Sequence, residues 1–411
     1  MPVPLPLYSV LPFVAMLLAI ALLPLALPHW WESNRNKLLV STGLGLPVLL
    51  LCLARAPQVL AHTAGDYASF IVLLAGLYVI AGGIRLRGDL EATPLVNSAF
   101  LASGTALASF IGTTGASMLI IRALLQTNQE RERVTHTVVF FIFLVSNIGG
   151  MLTPLGDPPL FLGYLAGVPF AWTLRLWRPW LTMTLVLLVV YFVWDTIEHR
   201  RESRAALRRD HTQIEPLRID GGLNGLWLVG VVAAVAMLHA PLRELAILGL
   251  AGISLWRTPR PLRRANQFTA QPMVEVAVLF LGIFLTMIPA LELLRLRGGE
   301  LGVREPWQFF WAVGGLSSFL DNAPTYVAFL ALGQGLGLPG EVVGVPHAIL
   351  TGISVGAVAM GANTYIGNAP NFMVKAIAEA AGVRMPSFLG YTIYSGAVLM
   401  PLFVAVTLLF F

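Results

Sequence analysis

Leu152-Thr153-Pro154-Leu155-Gly156-Asp157-Pro158-Pro159-Leu160 and Asn363-Thr364-Tyr365-Ile366-Gly367-Asn368-Ala369-Pro370-Asn371 read as edited copies of one another. They lie 211 residues apart (152 to 363) in a chain of 411. Each interrupts an apolar segment with Gly, Pro and polar side chains at what the flanking sequence predicts to be mid-membrane depth. Irregular backbone is not tolerated against lipid; it persists only where protein or a wet cavity satisfies the freed N–H and C=O groups. A matched pair of breaks, one in each half, points to the substrate site of a secondary transporter built from inverted repeats.

Working outward, the composition fixes the class. Hydrophobic residues make up 57% of the chain and charged residues 11%, against about 25% charged in a soluble domain. Apolar runs near 20 residues recur, the length that crosses a hydrocarbon core of about 30 Å. The chain therefore reads as an all-α, polytopic membrane protein whose first partner is the lipid bilayer. The net charge of +5 does not indicate nucleic-acid binding, because the arginines sit in short loops, where they orient the protein in the membrane. Cys52 is the only cysteine, which excludes an intrachain disulfide and a Cys-based metal or redox site. The run at residues 7–27 follows no basic segment and is long enough to span, so it is expected to be a retained first helix rather than a cleaved signal.

The pattern places spans near 8–28, 36–54 and 66–84, a polar-tipped segment near 92–125, a broken span near 136–166 and a full span near 172–197. A charged loop, 199–220, follows. The order then repeats, with spans near 223–240, 242–256 and 275–294, a polar-tipped segment near 305–334, a broken span near 347–380 and a last span near 388–411. The expected division is a first repeat at 1–198, a cytoplasmic linker at 199–222 and a second repeat at 223–411. The polar tips are Phe110-Ile111-Gly112-Thr113-Thr114-Gly115-Ala116-Ser117 and Phe319-Leu320-Asp321-Asn322-Ala323-Pro324-Thr325-Tyr326. They share nearly the offset of the breaks, as do His136 and His347, which open the two broken spans and read as interfacial residues.

If the polar-tipped segments are re-entrant hairpins, each half crosses five times and the second half is inverted. If they are full spans, the repeat is parallel. Loop charge favours hairpins, which put 19 of the 26 Lys and Arg on one side. By the positive-inside rule that side, which holds the 199–220 loop, is cytoplasmic, and both termini face outward. Arg295, Arg297 and Arg304 fit this scheme poorly.

Asp157 and Asp321 are the carboxylates expected deep in the membrane beside a break. A charge there costs about 2.5–3.5 kcal/mol on insertion scales, so it marks function unless it is an N-cap or a hydrogen-bonded structural acid. Ser146, Asn147, Thr153, Asn322, Thr325, Asn363, Thr364, Asn368 and Asn371 supply neutral ligands around them, and the first hairpin adds Thr113, Thr114 and Ser117. Unwound carbonyls and helix C-termini suit a sodium ion, and half-helix N-termini suit an anion. Serine and threonine in membrane helices also bond back to their own helix. Gly149, Gly150, Gly156, Gly361 and Gly367 permit sharp turns or close helix packing. The sequence contains no phosphate-binding Walker loop, no HExxH zinc motif and no GxGD around either acid, so ATP drive, zinc hydrolysis and intramembrane aspartyl proteolysis are not expected.

Ser146-Asn147-Ile148-Gly149-Gly150, running on to Leu155-Gly156-Asp157-Pro158-Pro159, resembles the Asn-Ile-Gly-Gly…Ile-Gly-Asp-Pro-Pro element of the ion-transporter superfamily. Phe319-Leu320-Asp321-Asn322-Ala323-Pro324-Thr325 is similar to its Phe-Leu-Asp-Asn element. That superfamily includes NhaD-type sodium/proton antiporters, arsenite permeases, citrate–metal transporters and sodium-coupled dicarboxylate carriers. The resemblance covers nearly the whole chain. It implies inverted five-helix repeats, hairpins that meet broken helices at mid-membrane and, in many members, a homodimer. The first tip lacks the Asp-Asn pair of the antiporter-like branch, and neither hairpin has the Ser-Asn-Thr triplet of dicarboxylate carriers.

With acidic charges deep in the membrane and no Lys or Arg at mid-span, the leading expectation is a sodium/proton antiporter of the bacterial inner membrane. Asp157 and Asp321 would bind transported Na⁺ and H⁺ in competition, with no resident cofactor and no enzymatic activity. The alternative is a sodium- or proton-coupled citrate or other carboxylate transporter. There the acids and carbonyls hold the ion, while Thr, Asn and helix N-termini hold the anion.

Overall fold

A computed structural model describes residues 6–212 and 214–411. The chain is a helical, multi-pass membrane protein. Among the described residues, seven helical segments are long and apolar enough to cross a membrane, from Leu7–Pro24 through Phe388–Phe410. The helices Leu223–Met237 and Leu242–Arg257, also expected as spans, are shorter, at 15 and 16 residues. The third span begins earlier than the sequence reading placed it, at Pro57. Proline opens that helix at its first position, where no backbone N–H is needed, and only Ala56 separates it from the preceding helix Asn34–Arg55.

Each polar-tipped segment is two helices joined at a sharp turn. The first runs Pro94–Ile111, turns at Gly112 (φ 82°) and returns as Thr113–Thr127. Near its open end Asn97 and Asn128 exchange side-chain hydrogen bonds of 2.9 and 2.8 Å. Both legs therefore start and finish at one level, as a hairpin must. The second hairpin runs Pro306–Ser317 and Asn322–Gly335.

Each broken span is two half-helices around an irregular centre. Thr135–Leu144 and Pro158–Leu165 flank the first break, and His347–Met360 and Ala369–Ala380 flank the second. In each half the first hairpin leg runs parallel to the first half-helix. In the second half their backbones nearly touch: a Cβ on Gly352 would lie 2.5 Å from Pro306 O, and one on Gly356 would lie 2.5 Å from Phe310 O. Only glycine allows that approach, and it brings each hairpin tip level with its break.

Helix Trp177–Arg200 gives the two halves their relative sense. His136, which opens the first broken span, bonds Asp195 near the C-terminal end of that helix at 2.8 Å. His347, which opens the second, accepts from Trp172 Nε1 at 2.8 Å just before the helix begins. The two broken spans therefore start from opposite faces of the protein and meet in the middle. His136 is held in a buried ion network, in which Asp195 also pairs with Arg131 at 2.7 Å. Of the poorly fitting arginines, Arg295 is taken up locally by Glu292 at 2.8 Å and Gln334 at 3.0 Å.

The segment read as a solvated loop, 199–220, has structure. It forms a helix at Arg204–Thr212 and a strand at Glu215–Asp220, which pairs antiparallel with Arg85–Asp89. Arg87 and Asp220 close this pairing with an ion pair of 2.6 Å. Asp210 accepts from Ala92 N at 3.0 Å, which ties the strap to the foot of the first hairpin.

Candidate functional site

Both breaks are built by one device. Thr153 Oγ1 donates to Ser109 O, and Thr364 Oγ1 donates to Ser318 O. Each threonine also accepts a backbone N–H two residues on, from Leu155 at 3.2 Å and Ile366 at 3.3 Å. Ser109 Oγ donates to Gly149 O, and Ser318 Oγ donates to Met360 O at 3.2 Å. The polar groups freed by unwinding are thus met by the neighbouring hairpin, as a break at membrane depth requires. Ser109 and Ser318 were not singled out from the sequence, although they are 209 residues apart (109 to 318) and share the offset of the hairpin tips.

Asp157 lies at the centre, 1% exposed. Its Oδ1 accepts from Thr113 Oγ1 at 2.8 Å and Asn368 Nδ2 at 3.1 Å, and its Oδ2 accepts from Asn322 Nδ2 at 2.6 Å. Thr113 and Asn322 are equivalent tip residues of the two hairpins, and Asn368 is the repeat counterpart of Asp157 itself. One carboxylate is therefore held by both hairpins and by the opposite break. Its side chain does not cap the helix that follows it.

Behind it is an amide network. Asn368 Nδ2 also reaches Ser146 O at 3.1 Å. Asn147 Nδ2 donates to Asn371 Oδ1 at 2.7 Å, and Asn371 Nδ2 donates to Gly361 O and Thr364 O at 2.8 and 2.9 Å. Ser117 and Ser146 hydroxyls meet at 2.9 Å between the first hairpin and the first break. Asn363 Nδ2 donates to Ser318 Oγ at 2.8 Å, while its buried Oδ1 has no partner among the described residues.

Asp321, Thr325 and Thr114 do not bond the Asp157 carboxylate. Asp321 caps the second hairpin's return helix, with Oδ1 accepting from Ala323 N at 2.9 Å. Thr325 donates to Asp321 O at 2.8 Å within its own helix. Thr114 is half-buried on the first return leg and makes no hydrogen bond with Asp157. The two acids expected to act as a pair do not touch: one is the hub and the other is a cap.

Thr113–Thr127, Pro158–Leu165, Asn322–Gly335 and Ala369–Ala380 all begin at this centre. Each helix N-terminus carries about half a positive charge in effect. Four of them, with the Asn322 and Asn368 amides, meet around one carboxylate that no Lys or Arg among the described residues bonds. The arrangement can stabilise negative charge beyond that of Asp157, and the carboxylate can take up a cation or a proton.

Two broken helices entering from opposite faces, with two hairpins closing on a buried polar centre, define a membrane transporter. The chain belongs to the family described as "Putative citrate transport", which matches it over residues 3–411. Comparison with curated proteins finds no match.

Proposed function

We propose that the protein is a cation-coupled citrate or related carboxylate carrier of the bacterial inner membrane. The observation that supports this most is the convergence of four helix N-termini and the Thr113, Asn322 and Asn368 side-chain donors on one site. The first-turn N–H groups of these helices add to the three side-chain donors that Asp157 takes, and together they suit the several oxygens of a polycarboxylate. The family description points the same way. In this reading Asp157 takes the coupling H⁺ or Na⁺. Neutralising it frees Asn322, Asn368 and Thr113 to donate to a substrate carboxylate, so cation and anion bind together. The Arg-rich face is the cytoplasmic one.

Sodium/proton antiport is the second reading, favoured by the absence of a Lys or Arg in contact with Asp157. A flux screen in proteoliposomes separates the two. Labelled citrate entering with an imposed Na⁺ or H⁺ gradient supports the carrier. Na⁺-driven proton movement with no citrate entry supports the antiporter.

A further inference from the structure

A cavity of about 1030 Å³ opens on the Arg-rich face between the first hairpin's return leg, Thr113–Thr127, and the second half-helix of the other break, Ala369–Ala380. Both helices start at the Asp157 centre and run from it along the cavity, which each of them lines. Met118 and Met373 line the cavity. Each lies five residues beyond a contact of Asp157, Thr113 or Asn368, which is about 7–8 Å of helix rise. The cavity is thus the approach to the site from this face, and it is as large as the sites that hold small organic ligands.

Its lining is basic. Arg85, Arg122, Arg131 and Arg384 are there, against the single carboxylate of Glu132. Arg131 is spoken for by Asp195 and Glu202. Among the described residues Arg85, Arg122 and Arg384 form no ion pair, and Arg85 and Arg122 repel each other. The side-chain partner of Arg122 is Gln267 Oε1, which accepts from NH2 at 2.8 Å. A neutral acceptor orients the guanidinium without cancelling its charge. Gln267 itself holds a left-handed backbone (φ 51°), uncommon for a residue with a side chain. Three uncompensated guanidiniums at the mouth of a path to a donor-rich site are matched by an anion of several carboxylates, which Arg binds in paired hydrogen bonds.

We propose that this cavity is an anion-binding vestibule, in which Arg122, with Arg85 and Arg384, holds a di- or tricarboxylate on the path between the Asp157 centre and the Arg-rich face. This rests on the carboxylate reading and gives it a second binding step on the Arg-rich side. The field of the three arginines raises the local concentration of anions and the rate of their arrival. The planar fork of Arg122 selects carboxylates among them.

The test uses full-length protein in nanodiscs of zwitterionic lipid, with Cys52→Ser and Gln126→Cys. Gln126 is exposed and lines the cavity. An anionic and a cationic thiol reagent of equal size are compared. The anionic one should react faster by about tenfold or more at low salt. Citrate should slow it well beyond chloride at equal ionic strength. Arg122→Gln with Arg85→Gln should remove both the bias and the protection. Arg122→Lys should keep the bias and weaken the protection. Equal reagent rates, or citrate no better than chloride, would overturn the proposal. The readout is chemical, so protection in a protein that moves no citrate would sink the transport reading and leave the vestibule standing.

Discussion

Asp157 and Asp321 look equivalent in the sequence: both are acids beside a break or tip, each next to an asparagine or a proline that can start a helix. The structure separates them by what their oxygens accept. Asp157 accepts from three side chains on three elements, and Asp321 accepts from one backbone N–H two residues along. The substitutions should therefore differ. Asp157→Asn keeps the shape but cannot carry a full charge or exchange a proton. It should lower gradient-driven transport about 5- to 150-fold, the range of a coupling energy of about 1–3 kcal/mol, while the protein stays folded, because removing a buried charge relieves desolvation. Asp321→Asn keeps a good cap and should leave most transport intact; equal loss in both variants, measured as initial uptake rates, would restore the paired-carboxylate site. The residue types of the site were legible in the sequence because membrane interiors contain few polar groups. Which of them met was not, since every side-chain hydrogen bond of Asp157 is long-range, from 44 to 211 residues away.

At the scale of elements, the breaks and hairpins were readable because Gly, Pro and Asn interrupt apolar runs at a repeated offset. The strap was not. Glu215–Asp220 has only Leu217 and Ile219 as alternating apolar positions, both exposed and set among charges and Pro216, so its pairing with Arg85–Asp89 is too short a period-2 signal to stand out from a loop. Two predictions belong here. A Cβ at Gly156 would lie 2.2 Å from Gly150 O, whereas one at Gly315 meets nothing within 4 Å. Gly156→Ala should thus destabilise by about 1–3 kcal/mol, as overpacking does, and Gly315→Ala should be near neutral in a thermal unfolding assay; the same melting temperature for both would mean that the first break is not so tightly closed. The second concerns the strap. Burial among Glu130, Asp210 and Glu215 raises the Asp89 carboxyl to about 6. The native state then holds a proton that the unfolded chain has released, so stability falls as pH rises from about 4 through about 6 and stays low above. Asp89→Asn can still accept from Gln129, which bonds Asp89 at 3.0 Å. It should raise the melting temperature at pH 7.5 and change it little at pH 4.5. A variant less stable than wild type at pH 7.5 would show that the charge is compensated.

The whole molecule is two halves in opposite sense around one centre, and only one of them supplies the buried acid. Loop arginines alone imply the inversion, and helix Trp177–Arg200 carries it in the structure, with each broken span starting at a different end. Cysteines at Ala205 and Leu338, in a Cys52→Ser background, lie beyond opposite ends of that helix. An impermeant reagent applied to intact cells should label Leu338→Cys and spare Ala205→Cys; labelling of both from outside would refute the sidedness. The asymmetry of the centre leads to the central claim, that a single carboxylate couples cation to anion. Its most direct test is accumulation of labelled citrate in proteoliposomes under an imposed Na⁺ or H⁺ gradient, wild type beside Asp157→Asn. The account predicts gradient-dependent accumulation by the wild type and its loss in the variant. It is contradicted if the wild type accumulates no citrate under either gradient, or if Asp157→Asn accumulates it as well as the wild type does.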